Sequence, residues 1–238
     1  MNAIIYVAHG SRRAKSNDLF VTFIQKVMAT SQASIKEYGF LEHEEPSVNQ
    51  AVNRCIQQGA DQITVVPVFL APGIHVNQDI PDILRSISGV EFHLARPLGV
   101  DEIMVEILAD RLKETQFDKE AAVLLVGHGS RNAQAAIETE CLAQRLKAKI
   151  SHPVQIGYMT TSQFYHEKAR ELMDQTIYIL PYFLFTGGYT VKMKRELEKL
   201  GGDFKFCRPV GFDEKLIPLI QKRASEVEHV LLSDYVTA

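Results

Sequence analysis

The chain has 238 residues, of which 46% are hydrophobic and 23% charged, the mix of a soluble globular protein long enough to bury its own core. Its 26 basic and 29 acidic residues leave a formal net charge of −3, so charge balance makes no case for nucleic acid or an anionic membrane as a partner. The three cysteines, Cys55, Cys141 and Cys207, lie far apart without a CxxC pair, which excludes a disulfide framework and a thiolate zinc site and fits a reducing, cytoplasmic setting.

The first strand is expected at Ile4 to Ala8, a short apolar run that starts almost at once, without the basic region of a secretory signal. Leu19, Phe20, Phe23, Ile24, Val27 and Met28 then recur at helical spacing. Ile35 to Leu41 reads as a second strand. Pro46 is expected to open the next helix, Val48, Val52, Cys55 and Ile56 form its apolar stripe, and Gly59 closes it. Ile63 to Leu70 is a β-branched third strand; like the other apolar stretches it is too short and too interrupted by proline to span a bilayer. Asp79 is expected to cap a helix with Pro81 in its first turn, Val90 to Leu94 to form a fourth strand, and Asp101 to Leu112 a closing helix. The polar stretch Lys113 to Glu120 reads as a linker. Alternation of this kind means a parallel sheet covered by helices on both faces.

The order is then repeated. Ala8-His9-Gly10-Ser11-Arg12 returns as Gly127-His128-Gly129-Ser130-Arg131, after the apolar run Ala121 to Val126. Gly39-Phe40-Leu41 returns as Gly157-Tyr158-Met159, Pro67-Val68-Phe69-Leu70 as Pro181-Tyr182-Phe183-Leu184, and Arg96-Pro97-Leu98-Gly99 as Arg208-Pro209-Val210-Gly211. The series keeps its order and its spacing drifts only slowly, which argues for duplication. The expected architecture is α/β: two similar three-layer domains with parallel sheets, residues 1–116 carrying the active site and residues 117–238 a degenerate repeat covering the cleft.

In open parallel sheets, ligands bind beyond the carboxyl ends of the strands. His9, Glu42 and His75 of the first half fall just past strands one, two and three. In the second half His128 stands for His9, Thr160 for Glu42 and Tyr189 for His75, so one working site is expected, in the first half. A differently placed gap would put Glu44 or Glu45 in the place of Glu42. Two imidazoles and a carboxylate suit a divalent first-row metal, and imidazoles titrating near neutrality also move protons. Taken singly, a histidine at a strand end is as readily a packing residue, and a loop glutamate is usually solvated.

The His-Gly-Ser-Arg turn offers Ser11 as a cap and Arg12 as a partner for a carboxylate or phosphate, but a well-capped turn explains Ser11 equally well. Neither nucleotide-binding glycine fingerprint is present, and no GxSxG elbow supports a serine hydrolase. His43, His93, His152, His166 and His229 read as surface or packing residues. The basic run Lys192, Lys194, Arg195 is either an anion-binding patch or the solvated face of a helix.

The segments Ala8 to Arg12, Gly39 to Glu42 with Pro46, and Pro67 to His75 with Asp79-Ile80-Pro81 resemble the class II chelatases. The duplicated chain is similar, over nearly its whole length, to their long two-domain branch, the sirohydrochlorin ferrochelatases and cobaltochelatases. The resemblance implies insertion of Fe2+ or Co2+ into sirohydrochlorin, giving sirohaem or a cobalamin precursor. It makes His9, His75 and Glu42 the active-site and metal-binding residues, and the divalent ion (Fe2+, Co2+ or Ni2+) a substrate with no further cofactor. Ser11, Arg12, Lys192, Lys194 and Arg195 are candidates to hold the tetrapyrrole's carboxylates, and Phe69, Leu70, Phe183 and Phe185 candidates for apolar walls. The rival readings are a non-catalytic carrier of divalent metal or tetrapyrrole, and a ferrous oxygenase using the same ligand types.

Overall fold

The computed structural model describes residues 1–161, 163–185 and 187–226; His229 and the C-terminal stretch from Val230 lie outside them. Two four-stranded parallel sheets are present. The first contains β1 (Asn2–Ala8), β2 (Ile35–Phe40), β3 (Gln62–Pro67) and β4 (Glu91–Leu94), in the order β2-β1-β3-β4. The second contains β5 (Ala122–Gly127), β6 (Val154–Tyr158), β7 (Ile177–Pro181) and β8 (Phe204–Phe206), in the equivalent order β6-β5-β7-β8. The registers also correspond: Val7 pairs with Gly39 and Pro67, as Val126 pairs with Gly157 and Pro181. The α/β class and the duplication expected from the sequence are therefore both present.

In the first sheet, alternate residues point to opposite faces. Ala3, Ile5, Val7, Ile63 and Val65 pack on one side with Val48, Ala51, Val52 and Cys55 of α2 (Val48–Gln57) and with Ile80 and Leu84 of α3 (Ile80–Arg85). The opposite side takes α1 (Ala14–Thr30), which buries Phe20, Phe23, Ile24 and Val27. The apolar stripe of α1 is narrower than its sequence suggests. Leu19 is exposed, and the buried face runs instead through Ser16 and Asn17. Pro46 does not open α2. Ser47 is its N-cap, in a capping box with Gln50, so the proline precedes the cap.

The repeats and the compact units do not coincide. Among the described residues, one unit is Met1–Gly99 together with residues 214–226, and the other is Val100–Asp213. The boundary expected at residues 116 and 117 thus lies inside the second unit. The cause is an exchange of closing helices: α4 (Glu102–Lys113) packs on α5 (Ala133–Ile150) and β7, whereas α8 (Leu216–Ser225) packs on α1 and β3.

Each exchanged helix is anchored by one buried arginine. Arg223, fully buried on α8, donates to the carbonyls of Pro97 at 3.1 Å and Leu98 at 2.6 Å. Arg111 on α4 donates in the same way to Pro209 at 3.0 Å and Val210 at 3.1 Å. Around these cores, Arg96 forms a fork on Glu226 and Arg208 a fork on Glu114. The Arg-Pro-x-Gly turns legible in the sequence are therefore sockets, each filled by the helix that closes the other repeat. A guanidinium with five fixed donors can satisfy carbonyls and a carboxylate together, which an ammonium cannot.

All three cysteines are free. Burial holds the Cys55 thiol up at about 12 and the Cys207 thiol up at about 11, so neither is a thiolate near neutrality.

Arg223→Ala strands the Pro97 and Leu98 carbonyls at a buried site, while Glu226 keeps Arg96, and is expected to lower unfolding free energy by about 2–4 kcal/mol, read by urea denaturation. Arg96→Ala, at the exposed end of the same cluster, should cost less than about 1 kcal/mol.

Candidate metal centre

The three candidates come from three loops at the carboxyl edge of the first sheet. His9 follows β1, and its loop is tied to the one after β2 by backbone bonds from Leu41 N–H to the Ala8 carbonyl and from Glu42 N–H to the His9 carbonyl, both 2.9 Å. Gly10 makes that approach possible. It has φ +88°, and a Cβ there would stand 1.9 Å from the Glu42 carbonyl oxygen. His75 opens a single π-helical turn, His75–Asp79, that runs directly into α3. Such turns widen a helix locally and re-aim side chains.

The ligand atoms of His9, Glu42 and His75 all lie within 4.8 Å of one another, the one such group of three or more among the described residues. Both rings are half-buried, and Glu42 is exposed. Glu44 and Glu45 do not take its place. Glu44 accepts from Asn17, and Glu45 accepts from the Ser47 N–H.

The tautomers are assigned from the hydrogen-bond partners. His9 Nδ1 lies 3.0 Å from the Gly10 carbonyl, which can only accept, so Nδ1 carries the proton. His75 Nδ1 likewise donates to the Asp79 carboxylate at 2.7 Å. Both Nε2 atoms are left as acceptors, and they face each other at 3.1 Å. Two lone pairs at that distance repel unless a cation, proton or metal, lies between them. Two metal–imidazole bonds of about 2.0–2.1 Å at angles between octahedral and tetrahedral span roughly 2.9–3.4 Å. The observed spacing falls in that range. Burial is the first cause pushing the His9 pKa below its ordinary value, with the neighbouring His75 and His43 acting in the same direction against a raising bond from Gly10 and the Glu42 charge. The ring is thus kept in the neutral form that binds metal.

Two residues of this centre escaped the sequence reading. Asp79 makes no capping bond; its carboxylate orients His75 instead. The signal was present, because His75 and Asp79 are one helical turn apart. Carboxylate-to-histidine contacts of this kind fix tautomer and ring direction. His43, read as surface or packing, turns back with φ 67° to place Nε2 3.2 Å from a Glu42 carboxylate oxygen, and its ring centre lies 6.2 Å from that of His9. No periodicity predicts a left-handed residue there. Phe69 lies against both ligand rings, with ring centres 6.4 Å from His9 and 6.3 Å from His75.

The second unit keeps the frame and loses the ligands. His128 Nδ1 donates to the Gly129 carbonyl at 2.9 Å, as in the first copy. Opposite it stands Tyr189, edge-on at 4.9 Å and 89°, matching the 4.6 Å and 89° of His9 and His75. Thr160 occupies the place of Glu42 and donates to the His128 carbonyl. Phe183 stacks on Tyr189, and Phe185 meets Phe212 edge-on.

The remaining candidates are placed less pointedly. Ser11 Oγ accepts from the Arg13 N–H, the bond of a turn, and Arg12 is exposed. On α7 (Gly188–Glu198), Lys192 and Lys194 reach Glu196 and Glu198, both at 3.8 Å, and Lys194 also lies over Phe206. These pairings are those of a solvated helix face. Arg195 lies in the last turn of the same helix.

Fold and site together define a two-unit, duplicated α/β protein with one open imidazole–carboxylate centre. A family model described as CbiX matches residues 3–115 and again 122–227, so the chain belongs to the CbiX family. A sirohydrochlorin ferrochelatase of Priestia megaterium is 36% identical over 234 residues, covering 92% of this chain and 88% of that protein. The structure of SirB from Bacillus subtilis with Fe3+ superposes with a TM-score of 0.88 at 28% identity, covering 96% of each chain. The sirohydrochlorin chelatase SirB of Bacillus subtilis subspecies spizizenii in complex with cobalt gives 0.84 at 29% identity, over 95% of this chain and 94% of that one. Among the described residues no helix is long and apolar enough to cross a membrane.

Asp79→Asn should keep the fold but weaken Co2+ binding by about 10-fold or more, measured by visible absorption titration. Substitution of Lys192 on the solvated face should leave that titration unchanged.

Proposed function

We propose that this chain is a sirohydrochlorin chelatase that inserts Fe2+ or Co2+ into the tetrapyrrole, yielding sirohaem or a cobalamin precursor. The observation that carries the reading is the pair of opposed Nε2 lone pairs with Glu42 in reach, half-open to solvent. The near full-length likeness to a ferrochelatase supports it.

The reaction replaces two pyrrole N–H protons by one M2+ ion and releases both protons. In the proposed sequence His9 and His75 hold the incoming ion through Nε2, and Glu42 completes an incomplete shell. Three donors leave positions open, which lets the ion pass onward; a closed four-ligand site would retain it. As the ion leaves, each freed Nε2 lone pair can accept a pyrrole proton. Asp79 stabilises the imidazolium formed at His75, and Glu42, which pairs with His43, carries a proton outward. Phe69 supplies an apolar ring beside the ligands for a flat macrocycle. Arg12, exposed three residues after His9, is a candidate partner of its carboxylates. Both iron and cobalt accept these ligand types, so the donor set does not choose between them.

Purified protein mixed with sirohydrochlorin and Fe2+ or Co2+ is expected to form metallated product catalytically, followed by absorbance against the uncatalysed rate. His9→Ala and His75→Ala should each lower kcat/KM about 100-fold or more. Product limited to one equivalent per chain would identify a carrier instead, and unchanged rates in both variants would remove the site.

Burial keeps the His9 Nε2 free of a proton to lower pH than an ordinary imidazole, so in the metal-free protein the His9 ring, followed by NMR, should titrate below 6.5.

A further inference from the structure

We infer that Asn17 is a positioning residue, a side-chain clamp that locks the loop carrying His9 to the loop carrying Glu42 and so sets the reach of the carboxylate toward the two imidazoles. The inference rests on the metal-site reading above and extends it to a residue that touches neither metal nor substrate.

Asn17 lies in the first turns of α1 and is 2% exposed. Its amide is used in full. Oδ1 accepts from the Ser11 N–H at 2.8 Å, and Nδ2 donates to the Ser11 carbonyl at 2.7 Å and to Glu44 Oε2 at 2.8 Å. Ser11 is two residues beyond His9, and Glu44 is two residues beyond Glu42. One planar group therefore grips both ligand loops just past their ligands. The backbone bonds at Leu41 and Glu42 join the loops on the near side. Asn17 joins them on the far side and spans the left-handed turn at His43 that sits against Glu42.

Helix formation gives no reason for the residue. Asparagine is a weak helix former, and burying an amide is costly unless every donor and acceptor is met. The second repeat is an internal control. Ser11 matches Ser130 and Ala14 matches Ala133, which sets Asn17 against Ala136. The turns share the serine bond, since Ser130 Oγ accepts from the Asn132 N–H at 3.1 Å as Ser11 Oγ accepts from the Arg13 N–H at 3.2 Å, and they differ at the cap, where Asn132 accepts from the Gln134 N–H and Arg13 makes no side-chain bond. There α5 forms with alanine at this position, in the copy where Thr160 and Tyr189 have replaced the ligands. The fold does without the amide where the ligands are absent.

The test compares wild type with Asn17→Ala, Glu44→Ala, Asn17→Asp, the double variant Asn17→Asp with Glu44→Gln, and Glu42→Ala. Three quantities are read: Co2+ affinity without tetrapyrrole, the separate KM values for Co2+ and sirohydrochlorin, and Tm. Asn17→Ala should weaken Co2+ binding and raise its KM about 10-fold while the KM for sirohydrochlorin stays put. Glu44→Ala, which cuts one of the three bonds, should shift both in the same direction by less. Asn17→Asp should be worse, because it sets a carboxylate against Glu44. The double variant should recover the part of the loss that arises at Glu44, since the glutamine amide can donate to Asp, but not the bond to the Ser11 carbonyl. Wild-type Co2+ affinity in Asn17→Ala, with Glu42→Ala impaired, overturns the clamp alone. So does a loss shared equally by both KM values and Tm that the double variant does not recover, which marks a purely structural role. Unchanged Co2+ affinity in Glu42→Ala brings down the metal-site reading itself, and the clamp with it.

Discussion

Two imidazole lone pairs aimed at each other across 3.1 Å are the constraint around which the first unit is arranged. Neither ring can relieve the opposition by exchanging tautomers, because each Nδ1–H is already committed, one to a backbone carbonyl and one to a carboxylate. The π-helical turn aims one ring, and the tight glycine turn aims the other. Two rings are held in this register only where their surroundings fix both orientations. On the proposed reading, a centre so built holds a cation without enclosing it, which is what transfer rather than storage requires.

The duplication shows which parts of this arrangement belong to the scaffold. Both copies keep the histidine after the first strand, its bond to the next glycine's carbonyl, and an aromatic ring crossing it edge-on. The first copy alone has a second imidazole, a carboxylate and the buried asparagine, whereas the second fills the same places with a phenol, a hydroxyl and a methyl. The lone-pair opposition and the buried amide are thus confined to one copy.

The exchange of closing helices gives the repeats a mutual dependence that strand order alone does not. Arg111 and Arg223 are each buried in a turn contributed by the other repeat, and their donors are met by carbonyls that no local segment supplies. In each half, part of the sheet is covered by the helix from the other half, α8 on β3 and α4 on β7. Buried guanidinium groups are costly when unmatched, so this geometry favours the exchanged pairing over a local one.

Strand and helix types, the parallel sheets and the duplication were legible in the chain because they follow from local periodicity and ordered recurrence. So was the trio His9, Glu42 and His75, since regular β-α units deliver successive strand ends to one edge. Tertiary structure alone decided the rest. It gave α4 and α8 to opposite repeats, because the carbonyls that satisfy a buried arginine are visible only in space. It turned Asp79 from an expected cap into the partner of His75 and brought His43 back onto Glu42 through a left-handed residue. It also made Asn17 a link between loops that are distant in sequence. Periodicity says which residues share a face, but hydrogen-bond partners across loops depend on angles and distances that spacing along a chain does not encode.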